Sequence, residues 1–240
     1  MPSYSLTEPA VFAFVAIPLL LVAALAWGTA IAYADENPRA GAGRSAAMVA
    51  AGACVWMGFT HVVATSGVLR EWDRTPPPFA LLVAAIVIGA VALAFSTLGR
   101  RIATHVPLWA LVGVQGFRLP LELAMHRLVG LGIMPEQMSY TGRNLDIVTG
   151  ATAIIVAALV ASGAGGRRLV ALWNVLGFGL LVNIVVVAIL STPRFQFFGT
   201  ERLNVFITYP PFVWLPAVMV LAALAGHFLI FRALRITRTA

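Results

Sequence analysis

The chain contains seven long apolar stretches, which together account for most of its 240 residues. A helix needs about 20 residues to cross the hydrocarbon of a bilayer, with a range of roughly 17 to 25. Every stretch reaches that length and the links between them are short, so little sequence is left for a soluble domain. The pattern predicts an all-α integral membrane bundle of seven transmembrane helices, forming a single domain over residues 1–240. The predicted spans are residues 10–33, 46–69, 78–98, 108–134, 147–164, 169–191 and 211–231.

The overall composition favours the same class of protein. Hydrophobic residues make up 60% of the chain and charged residues only 10%, which is typical of a membrane protein. The single cysteine, Cys54, lies inside the second apolar stretch and allows no internal disulfide. The chain has no lysine, and a retinal Schiff base requires a lysine amine. The sequence therefore excludes a retinal photoreceptor or retinal pump.

The arginines predict how the bundle is oriented in the membrane. If the N-terminus lies outside, the predicted inner segments hold nine of the 16 arginines and two acidic residues, whereas the outer segments hold five arginines and six acidic residues. Cytoplasmic loops carry the basic excess in membrane proteins. We therefore expect the N-terminus outside and the C-terminus in the cytoplasm, in a bacterial cytoplasmic (inner) membrane. The net charge of +7 then reflects contact with membrane lipids, and no nucleic-acid partner is expected.

A strip of polar residues interrupts the fourth apolar stretch, at residues 115–126. On a helix, Gln115, Arg118, Glu122 and His126 fall within one arc of roughly 80°. Charged groups at membrane depth usually line a cavity or pair with one another. The strip therefore predicts where the protein carries out its function.

Proline inside the same stretch predicts a kinked fourth helix. Pro120 cannot donate a hydrogen bond to the carbonyl of Gly116, and its ring presses against that turn. A kink in a membrane helix frees a carbonyl that a neighbouring helix or water must satisfy. The kink and the polar strip are thus expected to coincide.

Two interpretations of the strip stay open at this point. Arg118 and Glu122 are spaced i, i+4, as are Glu122 and His126, so each pair can touch on one helix face. One interpretation is a self-neutralising ion pair that holds the helix in the bundle. The other is a site where Arg118 binds an anionic group while Glu122 or His126 handles a proton.

Polar residues in the outer halves of other spans extend this candidate site. His61, Asn144, Asp146 and Asn183 would each lie towards the outer surface, where a pocket opening outward could collect them. Each also has a structural alternative: a core histidine for His61, the N-cap of the fifth span for Asn144 or Asp146, and a helix–helix contact for Asn183. The candidate ligand-binding residues are Gln115, Arg118, Glu122, His126, His61, Asn144, Asp146 and Asn183.

Three short strings give the chain a resemblance to other sequences. RLPLEL spans Arg118 to Leu123, GRNLDI spans Gly142 to Ile147 and PFVWLP spans Pro211 to Pro216. With these strings, residues 108–231 resemble a widespread family of uncharacterised bacterial polytopic membrane proteins. The resemblance implies a shared membrane fold and carries no assigned activity.

The residues favour a protein that binds or transports a small anionic or amphipathic solute, with coupling to a proton as a further expectation. An intramembrane metal-dependent enzyme is an alternative, in which Glu122 and His126 with His61 or Asp146 hold the metal, although Arg118 one turn away would repel a cation. A second alternative is a haem b protein with paired histidines, either His61 with His126 or His105 with His227. A non-catalytic scaffold or sensor and a homo-oligomer also stay open, so the sequence does not decide whether the protein is an enzyme.

Overall fold

The computed structural model describes residues 4–34 and 41–236, and these residues form helices, turns and loops without any strand. The predicted all-α architecture is therefore confirmed for this part of the chain. The α-helices are α1 (Pro9–Ala32), α2 (Gly41–Thr65), α3 (Pro78–Phe95), α4 (Thr97–His105), α5 (Leu108–Val114), α6 (Arg118–Gly130), α7 (Asp146–Ala161), α8 (Arg167–Leu190) and α9 (Leu221–Arg235).

Among the described residues, five helical segments are long and apolar enough to cross a membrane: α1, α2, α3, α8 and residues Leu215–Arg235. Large apolar side chains such as Leu20, Val55, Ile88 and Leu172 point outward and are more than 60% exposed. Such a surface is costly in water but suits a bundle surrounded by lipid tails, which are as apolar as the side chains themselves. The structure thus supports a membrane protein. It does not establish seven spans or their orientation, which stay predictions.

The predicted fourth span is an interrupted helix. α5 ends at Val114, a 3₁₀ turn covers Gln115–Phe117, and α6 begins at Arg118. The change of hydrogen-bonding pattern falls in the turn that precedes Pro120, where the missing proline N–H was expected to disturb the helix. The segment ends at Gly130, earlier than the predicted residue 134.

The predicted seventh span is also irregular. Its first turns after residue 214 form a π-helix, Leu215–Val220, which continues into α9. Indole groups hold this segment against α2, since Trp56 Nε1 donates to the carbonyl of Ala217 at 2.8 Å and Trp214 Nε1 donates to the carbonyl of Met57 at 3.1 Å. The wide π-helical turn is a feature that apolar periodicity alone does not predict.

A short amphipathic helix, α4, lies where the sequence analysis predicted a loop. α3 ends at Phe95, and the side chain of Ser96 caps α4 by accepting a hydrogen bond from the N–H of Gly99 at 3.0 Å. α4 buries Ile102 and Ala103. Since it has only nine residues, α4 cannot cross a bilayer.

The packing of the helices places α9 in the middle of the bundle, in contact with α3, α4, α5 and α8, while α1 packs against α2, α4 and α6. α6 and α7 lie side by side, and the backbone of Gly150 on α7 touches α6 directly. A Cβ built at Gly150 would collide with the amide nitrogen of Leu119 and lie 2.9 Å from the carbonyl carbon of Arg118. This close approach brings the first turn of α7 beside Arg118.

Candidate functional site

A buried ion pair joins α6 to α7. Arg118 Nη1 donates to Asp146 Oδ1 at 2.9 Å, and both side chains are almost fully enclosed. Guanidinium carries five N–H donors, yet Nε and Nη2 of Arg118 have no hydrogen-bond partner among the described residues. Two nitrogen atoms of the guanidinium therefore lack hydrogen bonds in a buried position, where each missing hydrogen bond costs free energy.

Glu122, one turn along α6, is held by an amide. Asn144 Nδ2 donates to Glu122 Oε1 at 2.7 Å and to the carbonyl of Met138 at 3.0 Å, while Asn144 Oδ1 accepts from the N–H of Asp146 at 3.0 Å. Within residues 4–34 and 41–236, the second carboxylate oxygen, Oε2, has no hydrogen-bond partner. Asn144 thus joins the Glu122 carboxylate to the backbone at Asp146. We call Arg118, Glu122, Asn144 and Asp146 the buried polar cluster.

The buried polar cluster forms part of the wall of a cavity of about 90 Å³. The rest of the wall is apolar and comes mainly from α3, α6, α8, the π-helix and the start of α9, with Ile86, Leu181 and Met219 among the residues that line it. This volume holds a few water molecules or the end of a larger ligand. The arrangement combines a hydrocarbon-like chamber with a charged, incompletely hydrogen-bonded end, as an amphipathic ligand requires.

Gln115 is also buried, but it faces a different chamber. Gln115 Nε2 donates to the carbonyl of Ala223 at 3.3 Å, and its Oε1 has no partner in the part of the chain that the structure describes. Gly226 allows this contact, since a Cβ there would collide with Gln115 Nε2. Gln115 lines a second cavity of about 160 Å³ between α1, α2, α4, α5 and α9, which is otherwise apolar.

Three of the predicted site residues lie on exposed surfaces. His61 contacts the ring of Trp214, with ring centroids 5.8 Å apart, and His126 stacks on Tyr140 at 4.7 Å. Asn183 Nδ2 donates to the carbonyl of Arg143 at 2.9 Å. None of these three lines the cavity beside the buried polar cluster. The structure thus brings together Arg118, Glu122, Asn144 and Asp146, and it leaves His61, His126 and Asn183 outside.

The expected contacts along α6 differ from those observed. Arg118 forms its ion pair with Asp146 on α7 rather than with Glu122 on its own helix, because α7 approaches closely enough to offer a carboxylate across the interface. His126 lies beside Ser139, with Nδ1 and Oγ 3.4 Å apart, rather than beside Glu122. The predicted i, i+4 pairs are therefore replaced by contacts between helices and loops.

The histidine and carboxylate groups considered for a metal or haem are dispersed. No three His, Cys, Asp or Glu side chains within the described ranges approach one another closely enough to hold a metal ion, so His61, Glu122, His126 and Asp146 do not form the set that a metal-dependent site would need. Of the histidines in the second proposed haem pair, His105 is exposed, whereas His227 is fully buried.

Sequence reasoning missed the buried contact between α8 and α9. His227 Nδ1 donates to Asn174 Oδ1 at 2.8 Å, and Asn174 Nδ2 donates to the carbonyl of His227 at 3.2 Å. Gly177 leaves the space for this ring, since a Cβ there would lie 2.9 Å from His227 Cε1. The available signal was weak: Asn174 and His227 lie 53 residues apart, and neither belongs to a strip of polar residues.

Comparison with known proteins gives one match. A family model described as a domain of unknown function (DUF8737) matches residues 76–235. The matched range contains the whole buried polar cluster and every residue that lines its cavity, whereas α1 and α2 lie outside it. No curated protein and no solved structure matches the chain.

Proposed function

The chain belongs to the family defined by this domain of unknown function, DUF8737, and we propose that this protein binds or transports a small anionic or amphipathic solute. The observation that carries the proposal is the guanidinium of Arg118. It is 1% exposed, reaches a cavity, and among the described residues leaves Nε and Nη2 without partners. A carboxylate or phosphate oxygen is the complement of such donors.

The apolar wall of the cavity supports an amphipathic ligand over a fully polar one. A purely polar solute would leave its own donors and acceptors unsatisfied against Ile86, Leu181 and Met219, at a cost comparable to a lost hydrogen bond for each. A ligand with an acidic head and an apolar body satisfies both ends of the chamber.

The charges of the cluster suggest that binding is coupled to a proton. One guanidinium faces two carboxylates, and Asp146 already occupies Nη1 of Arg118. An anionic ligand at Nε and Nη2 would leave Glu122 as an excess negative charge in a buried position. We therefore propose that Glu122 takes up a proton when the anion binds.

The proposed setting is a bundle of seven spans in a bacterial inner membrane, with the N-terminus outside. α5 and α6 together would form the fourth span and α7 the fifth. On that topology the buried polar cluster lies in the outer half of the bundle, and its cavity faces outward.

The test uses a pair of adjacent valines on α8. Val185 is half-buried and lines the cavity, whereas Val186 is exposed and does not line it. We expect Val185→Phe to fill the chamber and to reduce binding of a single-chain carboxylic acid such as octanoate at least tenfold, measured by native mass spectrometry of purified protein. Val186→Phe is the matched control and should bind like the wild type.

A second variant removes both charges of the ion pair between Arg118 and Asp146. Arg118→Gln combined with Asp146→Asn replaces the ion pair by two neutral amides, of which Asn matches the shape of Asp146 and Gln is shorter than Arg118, so the fold should persist while anion binding is lost. If this double variant and Val185→Phe both bind octanoate as tightly as the wild type, the ion pair only stabilises the bundle and the proposed function is wrong.

A further inference from the structure

A groove on the side of the bundle adjoins the cavity beside the buried polar cluster. It has a volume of about 120 Å³ and lies between α3 and the end of α8, bounded by Trp72, Phe79 and Val83 on one side and by Ile189, Arg194 and Phe195 on the other. Phe79, Val83 and Ile189 also line the cavity beside the buried polar cluster. The groove and the cavity are therefore adjacent and share part of their walls, and we call the groove the lateral groove.

α3 and α8, which flank the lateral groove, do not form an extensive interface with each other within the described residues, although each of them lines the cavity. Val83 and Ile189 are half-buried, and Val87 is 43% exposed. The side of the bundle is therefore apolar and incompletely closed at this point. A solute that uses it arrives from the surrounding hydrocarbon, because water is absent there.

We infer that the ligand of the buried polar cluster is a single-chain acidic lipid, with a carboxylate or phosphate head, that reaches Arg118 from within the bilayer between α3 and α8. This inference rests on the proposed function and names its ligand class and its route. The head binds Nε and Nη2 of Arg118 in the cavity, and the chain runs back through the lateral groove into the membrane.

Charge and size both support this occupant. Arg194 is exposed and lines the lateral groove, so a cation stands where an acidic head would first meet the protein. The cavity of about 90 Å³ is small for a lipid with two chains, but it accepts a head with a few methylene groups. Phe195, which is exposed and lines the groove, is suited to the level of the lipid head groups.

The experiment uses photoreactive lipids in phosphatidylcholine vesicles that contain the full chain. The probes are palmitic acid and lysophosphatidic acid, each with a diazirine in the chain, and cross-linked peptides are identified by mass spectrometry. We expect saturable labelling of α3 and α8 near Val83 and Ile189. Stronger labelling by one probe identifies the head as carboxylate or phosphate.

Two alanines of α3 give a matched pair of variants. Ala80 lines the lateral groove, whereas Ala85 lies on another exposed face of the same helix. We expect Ala80→Trp to slow labelling at least fivefold and Ala85→Trp to leave it unchanged. Both substitutions are on exposed positions, so circular dichroism and size-exclusion chromatography should show the wild-type fold.

The possible failures differ from one another. If Ala80→Trp labels as fast as Ala85→Trp while the double variant Arg118→Gln with Asp146→Asn does not label, the lateral route is wrong and the proposed function stands. If butyrate binds purified protein as tightly as palmitate, the ligand is a soluble acid and the lipid assignment is wrong. If the double variant labels like the wild type, the proposed function itself fails.

Discussion

At the scale of single residues, the ion pair between Arg118 and Asp146 makes a stability prediction that does not depend on any ligand. Asp146→Ala leaves a guanidinium buried without its counter-ion, and removal of one partner of a buried pair costs about 3 to 5 kcal/mol. We expect the free energy of unfolding to fall by about this amount, measured by titration of the detergent-solubilised protein with sodium dodecyl sulfate. Arg118→Gln with Asp146→Asn should lose less than Asp146→Ala alone. An equal or larger loss in the double variant would contradict this account.

The proposed protonation of Glu122 predicts how ligand binding depends on pH. If an anion binds together with one proton, its affinity should fall as pH rises, by up to tenfold per pH unit where Glu122 is ionised in the free protein. Glu122→Gln mimics the protonated side chain and should remove that pH dependence while binding persists. Octanoate binding measured by native mass spectrometry or calorimetry across pH 5 to 9 checks this. His126→Ala is the control, because His126 is exposed and stacks on Tyr140, and it should keep the pH dependence of the wild type.

The sequence predicted which face of α6 is buried better than it predicted how far along the helix the burial continues. Gln115, Arg118 and Glu122 are all buried, although Gln115 lies in the 3₁₀ turn before α6 and faces a different cavity. His126 lies in the predicted arc but is exposed. The arc gives only the direction of a side chain around the helix axis, and it does not show how far along the helix the neighbouring segments cover that face. Asn144 and Asp146 were candidates only by their position at the outer end of a span. Their contacts with Glu122 and Arg118 depend on the packing of α6 against α7, which one helix cannot reveal.

At the scale of elements, the approach of α6 and α7 at Gly150 should be the interaction most sensitive to a single methyl group. Gly150→Ala places a Cβ against the backbone of Leu119 and Arg118, and backbone cannot rotate away as a side chain can. We expect a destabilisation of about 1 to 3 kcal/mol, together with weaker octanoate binding as Asp146 moves away from Arg118.

Gly52→Ala on α2 is the matched control for that substitution. No atom lies within 4 Å of a Cβ built at Gly52, and alanine is the better helix former by about 1 kcal/mol. This variant should be as stable as the wild type or slightly more stable in the same denaturation experiment. If Gly150→Ala behaves like Gly52→Ala, the helices separate at little cost and their contact does not position the cluster.

The elements that hydropathy predicted well are those whose apolar residues run without interruption. α1, α3 and α8 begin and end close to the bounds of the predicted spans. α4 was missed because its Arg100 and Arg101 end the apolar run, although Ile102 and Ala103 turn inward. The π-helix at Leu215–Val220 was missed because it changes the hydrogen-bonding pattern of an apolar segment without changing its composition.

At the scale of the whole molecule, the number of spans decides which faces of the bundle meet which side of the membrane. In the part of the chain that the structure describes, five helical segments are long enough to cross by themselves. If only these cross, residues 96–166 all lie on one side. If α5 and α6 together form one more span and α7 forms another, the turn near Thr141 and the turn near Ser162 lie on opposite sides of the membrane. Whether Thr141 and Ser162 lie on the same side of the membrane therefore distinguishes the two topologies.

Cysteine labelling tests this difference directly. The chain has a single native cysteine, Cys54, so Cys54→Ser provides a background for Thr141→Cys or Ser162→Cys, both at exposed positions. In right-side-out spheroplasts, a membrane-impermeant maleimide should label position 141 at once and position 162 only after permeabilisation. That result follows from seven spans with the N-terminus outside, because the basic loops then remain in the cytoplasm. Labelling of both positions only after permeabilisation indicates five spans, and it would move the buried polar cluster from the outward-facing half of the bundle to the cytoplasmic side.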